Sequence, residues 1–444
     1  MSGQLEDDAS PSVDASSSWR PLFSGDAAER ALGIAEEIAA AIGPSAQVTT
    51  IARPGYSGAW SLDHRDFSLA GGNAGIAVFL SYLDAARPGG EYGEWALWHL
   101  EQAIDAIRQT EAQPLLYSGF PGVAWALEHL NGRLFEDDGT DLGEEAAMMV
   151  ADYLGQSPWQ RHFDLIAGLV GLGVYGLERL PRAHGQECLV RTVARLAEIA
   201  EHQEQAITWK TERAWLAPQE VDLYSGGNYN LGVSHGVPGV IAFLGEALAA
   251  LGSPEARVLL SGAVAWLLAQ KLPADSPSNF PSSVAPGSTP IPTRISWCYG
   301  DLGISLALLG AARRADEASW EAEALAVARS AAGRPFDRAG VIEPGLCHGA
   351  AGAAHLFNRL FQATGDPVFA KVARGWFERT YSLRRTDGGL AGFSAWLPGA
   401  SGELCWRDEP GLLTGVAGVG LALLAAATPV EPAWDRMLLV SVPG

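Results

Sequence analysis

A Gly-x-x-Gly quartet recurs seven times along this chain of 444 residues, each time at the head of an apolar stretch. One quartet would mean little in a chain with 52 glycines, but seven at the same place in successive segments indicate internal repeats. The intervals between quartets are 47 to 68 residues, long enough for two helices each. The first glycines of the quartets are Gly72, Gly119, Gly168, Gly236, Gly300, Gly349 and Gly415.

Apolar and charged residues divide each repeat into two kinds of helix. The sequence after a quartet is nearly uncharged, as in GVIAFLGEALAALG from Gly239, which is typical of a helix buried on most faces. Segments 29–42, 187–202 and 317–332 instead place apolar residues at i, i+3 and i+4, which predicts one-sided amphipathic helices. No segment has the convincing period of two that a strand requires. We therefore predict an all-α fold, with an inner ring of buried helices inside an outer ring of amphipathic ones.

The repeats also bound the domain organisation. Seven quartets between residues 72 and 418 leave no room for an independent second domain, so we expect a single domain over residues 20–444. Residues 1–19 are acidic and lack the basic and apolar regions of a signal peptide, which predicts a disordered tail. The longest nearly apolar stretch, 415–427, is shorter than the roughly 20 residues that span a bilayer. We expect a cytoplasmic protein without a membrane span.

Net charge restricts the partners. The chain carries a formal charge of −21 and has no cluster of Lys and Arg suited to phosphates, so we expect no nucleic acid partner. Two interpretations of the acidity remain open. It either steers a cationic peptide or small molecule towards the protein, or it serves solubility alone.

The residues just before the quartets are those that a closed ring brings to one end. Cys298 and Cys347 hold the same position in successive repeats, and His235 and His348 share the next position. Two thiolates and one imidazole are a good tetrahedral donor set for a zinc ion with one open position. We therefore predict zinc ligands at Cys298, Cys347 and His348. The competing interpretation is that both cysteines are small buried apolar residues, as Cys188 and Cys405 are expected to be.

Four motifs resemble the lanthionine synthetase cyclases, the LanC family, over essentially the whole chain. They are SHGVPG (234–239), RISWCYGDLG (294–303), GLCHGAAG (345–352) and WRDEPGLLTGVAG (406–418). No dehydratase-like region precedes them, so the chain resembles the stand-alone cyclase of class I lanthipeptide pathways. The resemblance implies an α/α toroid with zinc at its mouth, held by Cys298, Cys347 and His348.

The resemblance also implies roles for four further residues. His235 would be the acid/base that accepts the thiol proton or protonates the enolate, and Asp164 would pair with it. Arg294 and Tyr299 would line the site. A helix cap at Asp164 and a surface ion pair at Arg294 are the alternative interpretations of those two residues.

The implied reaction adds a cysteine thiol of a precursor peptide to a dehydroalanine or dehydrobutyrine of the same peptide, which forms a thioether ring. The implied partners are the dehydrated precursor, made of leader and core, together with a dehydratase and an export transporter that would hold the enzyme peripherally at the membrane. Three alternatives stay open. They are addition of glutathione or another free thiol to dehydroamino acids, a prenyltransferase-like activity, and a zinc-bearing peptide-binding scaffold without catalysis.

Two long segments interrupt the repeat pattern. Residues 272–293 are rich in Pro and Ser, and residues 208–230 contain Trp209, Trp215, Tyr224 and Tyr229. Loops of this length are usually functional or disordered. The aromatic residues of 208–230 either form a rim that grips a substrate or pack a surface loop.

Overall fold

The computed structural model describes residues 19–44, 46, 66–216, 220–386, 388–399 and 402–443. These residues form fourteen α-helices that alternate along the chain between an outer and an inner ring. The helices are α1 (Asp26–Ile42), α2 (Asn73–Ala86), α3 (Tyr92–Arg108), α4 (Phe120–Leu130), α5 (Glu144–Leu154), α6 (Leu169–Glu178), α7 (Ala183–Glu198), α8 (Val237–Leu251), α9 (Pro254–Leu268), α10 (Asp301–Ala315), α11 (Ala318–Ala332), α12 (Ala350–Thr364), α13 (Pro367–Ser382) and α14 (Val416–Ala427).

The even-numbered helices form the inner ring, and each begins directly after the first glycine of a quartet. Each inner helix packs against the next, and α14 packs against α2, which closes the ring. The odd-numbered helices cover them from outside, with α1 lying on α14. The predicted all-α double ring is confirmed.

Burial follows the predicted division of the helices. Every residue of α14 from Val416 to Ala426 is buried. In α7 the buried residues instead follow one face, including Cys188, Leu189, Thr192 and Val193. The inner helices therefore owe their stability to contacts on all sides, whereas the outer ones bury a single stripe.

Short strands also occur between the helices, although no segment of the sequence has the period of two that predicts a strand. Three two-stranded antiparallel sheets lie between helices: β1 (Glu201–Gln203) with β2 (Ala206–Thr208), β3 (Tyr229–Asn230) with β4 (Ser283–Val284), and β5 (Ala395–Pro398) with β6 (Leu404–Arg407). The helix predicted over 187–202 ends at Glu198, and His202 lies in β1. Strands of two to four residues are too short to show a period of two.

The predicted tail lies outside the described residues, apart from its last residue. Trp19 is buried, and its indole N–H donates to the carbonyl oxygen of Ala425 at 2.7 Å. Trp19, which we assigned to the tail, thus packs on inner helix α14. Among the described helices none has both the length and the apolarity needed to cross a bilayer.

The glycines of the quartets are required by contacts within each loop. A Cβ on the second glycine of any quartet would overlap the carbonyl oxygen of the residue six positions earlier. The loop before each inner helix is therefore folded tightly back on the helix start, which a side chain would prevent. This fold gives every repeat the same short turn at the same end of the ring.

Backbone hydrogen bonds join these turns around the ring. At six of the seven junctions in the described chain, the residue two before a quartet donates its N–H to the carbonyl of its equivalent in the next repeat. The donors are Ala70, Ile166, Ser234, Cys298, Cys347 and Leu413, and the acceptor of the last bond is Ala70. Equivalent residues of neighbouring repeats are thus held side by side.

Candidate metal centre

The two cysteines that share a position in the repeat lie next to each other at this end of the ring. The N–H of Cys298 donates to the carbonyl of Cys347 at 3.3 Å, which aligns the two loops. The ligand atoms of Cys298, Cys347 and His348 all lie within 4.8 Å of one another. Cys298 is buried, and the other two side chains are partly accessible. The fold therefore brings the three predicted ligands together.

The two thiols have different acidities. Hydrogen bonds from the Cys347 thiol and from His348 lower the pKa of Cys298 well below its usual range, although burial opposes this. The pKa of Cys347 is raised, because its thiol donates to the Cys298 thiolate and is itself buried. One thiolate is thus stabilised by its two neighbours.

His235 and Asp164 form a pair beside this cluster. The distance from His235 Nδ1 to Asp164 Oδ2 is 2.9 Å, and the other carboxylate oxygen accepts the N–H of Ala167 at 2.6 Å. Burial acts to lower the pKa of His235, but the hydrogen bond and charge of Asp164 outweigh it, so the pKa is raised. Asp164 therefore pairs with His235 and fixes its own loop at Ala167, but it does not cap helix α6, whose N-cap residue is Gly168 and which has no side-chain cap.

Tyr299 lies beside His235, with ring centroids 6.3 Å apart. The side chain of Asn230 fixes its hydroxyl group. The Oδ1 of Asn230 accepts the N–H of Gly232 at 2.8 Å, so its Nδ2 is the donor to the Tyr299 hydroxyl oxygen, also at 2.8 Å. Burial raises the pKa of Tyr299, which keeps the phenol protonated. Its O–H is therefore available as a hydrogen-bond donor.

Comparison with known proteins identifies the family of the chain. The family model of lanthionine synthetase C-like proteins matches residues 63–439. The chain belongs to the lanthionine synthetase C-like family. Among solved structures, nisin cyclase is 18% identical, with a TM-score of 0.69, over 85% of this chain and 93% of that one. An unsaturated glucuronyl hydrolase from Streptococcus agalactiae is 9% identical, with a TM-score of 0.42, over 96% and 98% of the two chains.

In this lanthionine synthetase C-like protein, a cavity of about 550 Å³ opens beside the His235–Asp164 pair and reaches Tyr299, the residue after Cys298. Its walls include the side chains of Asp164, His235, Arg294 and Tyr299. Arg294 is exposed on the wall, and its positive charge acts on the Cys347 thiol. The four residues predicted to accompany the ligands therefore share one cavity.

Both long segments contribute to the cavity. Trp215 and Glu220 come from 208–230, and Ser282, Pro292 and Thr293 come from 272–293. The two segments pair through β3 and β4, and the Trp215 ring lies 5.1 Å from the His162 ring. The sequence left open whether the aromatic residues of 208–230 line a rim or pack a surface loop. One of them, Trp215, lies on the cavity wall.

Glu343 is a site residue that the sequence analysis missed. Its carboxylate is 1% exposed, and Oε1 lies 3.2 Å from Nε2 of the candidate ligand His348. The other oxygen accepts the N–H of Trp396, in β5, at 2.8 Å. Burial raises the pKa of Glu343, although the charge of His348 opposes this. The carboxylate therefore connects His348 to the β5–β6 hairpin.

Glu343 could have been identified from a second repeated position in the sequence. The residue six before the first glycine of each quartet is polar in all seven repeats. Its carbonyl oxygen is among the atoms nearest that glycine in six of the loops, and the loop of Glu343 is the exception. The seven residues are Asp66, Gln113, His162, Asn230, Arg294, Glu343 and Glu409.

The other two cysteines lie elsewhere. Cys188 is buried in α7, where burial raises the pKa of its thiol to about 12. Cys405 is in β6. Position relative to the quartets therefore correctly distinguished Cys298 and Cys347, which lie in the cluster, from the two cysteines outside it.

Proposed function

We propose that this protein is a zinc-dependent cyclase that forms lanthionine or methyllanthionine rings in a dehydrated precursor peptide. One observation carries the proposal. A Cys-Cys-His donor set lies beside a hydrogen-bonded His–Asp pair at a cavity large enough for several side chains. Membership of the lanthionine synthetase C-like family supports the same activity.

The donor set suits zinc. Zn–S and Zn–N bonds of about 2.0–2.3 Å place two tetrahedral ligand atoms about 3.5–4 Å apart, and the three donors here lie within 4.8 Å of one another. Cys298, Cys347 and His348 would hold the ion. A zinc ion with an open position lowers the pKa of a bound thiol, which otherwise is mostly protonated near neutrality.

In the proposed reaction, the thiolate sulfur of the peptide forms a bond to the β-carbon of the dehydroamino acid. The π electrons of the double bond move to the enolate, whose α-carbon then takes a proton. His235 is the donor of that proton, because Asp164 raises its pKa and favours the imidazolium form. The proton released by the next substrate thiol restores His235, so the net reaction adds S and H across the double bond.

Tyr299 and Arg294 are the proposed partners of the enolate oxygen. The Tyr299 hydroxyl oxygen already accepts from Asn230, so its proton is directed to another acceptor. Arg294 supplies a positive charge on the same wall. Donors placed in advance where negative charge develops lower the activation barrier.

The proposed substrate is a precursor peptide with leader and core, and nisin cyclase is the solved relative that suggests it. Because thiol and acceptor belong to one chain, attack gains from their proximity. We propose that the protein acts in the cytoplasm, next to a dehydratase and an export transporter. The chain's charge of −21 favours cationic segments of such a peptide.

Loss of alkylatable thiol from a dehydrated precursor peptide tests the function, since cyclisation leaves the mass unchanged. We expect the wild-type protein with one zinc per chain to remove the thiol, and Cys347→Ala to be slower by at least 100-fold. Cys188→Ala, which removes a buried thiol far from the cluster, is the matched control. Equal rates for Cys347→Ala and wild type would refute the proposal.

A further inference from the structure

Residues 433–443, which follow inner helix α14, fill the axis of the ring. We call residues 433–443 the axial plug; it begins with a 3-10 helix, Ala433–Leu438. Its Trp434, Asp435 and Met437 side chains are fully buried, and Leu438 to Val440 are at most 4% exposed. A ring of seven helices leaves space along its axis, and these side chains occupy it.

A buried ionic cluster holds the plug in place. Asp435 accepts hydrogen bonds from Arg359 and lies 2.7 Å from Nε2 of His355, both on inner helix α12. Leu439 then adopts a positive φ of 57°, and the chain turns back. The carbonyl of Ser441 accepts hydrogen bonds from Arg314 near the end of α10. The plug thus enters the ring and returns to the same end.

The inner tip of the plug reaches the turns that carry the metal cluster. The indole N–H of Trp297 donates to the carbonyl of Leu438 at 2.9 Å, and the hydroxyl of Tyr117 donates to that of Met437 at 2.7 Å. Both side chains are at most 1% exposed. A buried polar group that loses its partner is destabilising, so these two hydrogen bonds restrain the plug and the turns.

Trp297 is also tied to the turn of the second cysteine. Its backbone N–H donates to the carbonyl of Cys347 at 3.2 Å, and the N–H of Cys298 donates to the same carbonyl. The side chain of Trp297 is therefore held by the plug while its backbone is held by the neighbouring turn. Rotation of the 297–298 segment would break the hydrogen bond to the plug as well as those to the neighbouring turn.

We propose that the axial plug positions Cys298 for metal binding, with Trp297 and Tyr117 as the positioning residues that transmit its hold. The inference rests on the proposed metal site. It assigns to the C-terminal residues a role in metal affinity, although none of them belongs to the cluster.

Trp297→Phe tests the inference, since it removes the indole N–H and keeps an aromatic ring. We expect the affinity for Zn²⁺, measured by competition with a chromophoric chelator, to fall about 10-fold, as is common when a support of a ligand is lost. The thiolate charge-transfer band of the Co²⁺-loaded protein should shift or weaken. Trp125→Phe is the matched control, because Trp125 is equally buried and its indole N–H has no hydrogen-bond partner among the described residues.

Tyr117→Phe is the milder second variant, and its matched control is Tyr175→Phe, whose buried hydroxyl has no partner within the described chain. We expect Tyr117→Phe to weaken Zn²⁺ binding and Tyr175→Phe to leave it unchanged. If Trp297→Phe and Trp125→Phe bind Zn²⁺ with equal affinity, the inference is wrong and the proposed function stands. If the wild-type protein binds neither Zn²⁺ nor Co²⁺, both this inference and the proposed function are wrong.

Discussion

Single side chains set the orientation of the groups in the candidate centre. Glu343 Oε1 lies 3.2 Å from Nε2 of His348, so its charge acts on that ring. Asn230 directs its amide nitrogen to Tyr299 because its oxygen is already engaged. In both cases a buried residue outside the ligand set acts on a side chain of the candidate centre. Such partners commonly matter nearly as much as the ligands.

Glu343→Gln should weaken metal binding about 10-fold, because the amide keeps the size of the side chain but loses the charge that supports His348. Zn²⁺ competition with a chelator measures the change. Glu409→Gln is the control at the equivalent position of the next repeat, where the carboxyl group is partly buried and burial raises its pKa to about 7. An unchanged Zn²⁺ affinity in Glu343→Gln would show that the carboxylate does not support His348.

Loops between the helices, more than the helices themselves, shape the cavity. The segment 272–293 is anchored to the start of α10 by Asp301, which is fully buried. Its carboxylate accepts the N–H groups of Asn279 and Phe280 and pairs with Arg334. Asp301, three positions after Cys298, thus holds the cavity wall that the segment 272–293 forms.

Asp301→Asn should release this wall. The amide cannot accept from all the donors around it, and loss of the charge leaves Arg334 buried without its partner, a change that costs about 3 kcal/mol. We expect faster hydrogen exchange in 273–293 and a lower melting temperature. In Asp366→Asn, which alters the N-terminal cap of outer helix α13, exchange in this segment should stay as in wild type. If hydrogen exchange in this segment is the same in Asp301→Asn as in wild type, residues other than Asp301 hold the wall.

The sequence allowed prediction of the elements that repeat and missed those that do not. The quartets placed the start of every inner helix, and the positions just before them brought Cys298, Cys347 and His348 together. The strands escaped because each has two to four residues. Glu343 and Asn230 escaped because their partners are decided by ring closure, although the polar position six before each quartet was visible. The axial plug follows no period, so nothing in its sequence marked it.

The buried ionic cluster on the axis makes the stability of the whole molecule sensitive to acid. Burial lowers the pKa of His355 below its ordinary value near 6.5, although Asp435 opposes this. Burial also disfavours the charge of Asp435, but Arg359 and His355 outweigh it and lower its pKa to about 2. As the pH falls, each of these two groups is therefore protonated at a higher pH in the unfolded chain than in the folded protein.

We expect the free energy of unfolding to decrease as the pH falls below 6.5, through His355, and again from pH 4 towards 2, through Asp435. Urea unfolding at several pH values measures both. His355→Asn should flatten the first decrease, whereas His184→Asn, at a partly exposed histidine of α7, should not. A slope between pH 6.5 and 5 that persists in His355→Asn would assign it to other groups.

The closed ring joins parts of the chain that are synthesised far apart in time. Helix α1 packs on α14, and Trp19 lies over Arg359, which in turn holds Asp435 of the plug. A nascent chain on the ribosome therefore contains helix α1 long before it contains α14, against which α1 packs. Trp297 meets its partner Leu438 only after a further 141 residues have been added. The proposed support of Cys298 therefore forms late in synthesis, once residue 438 has left the ribosome.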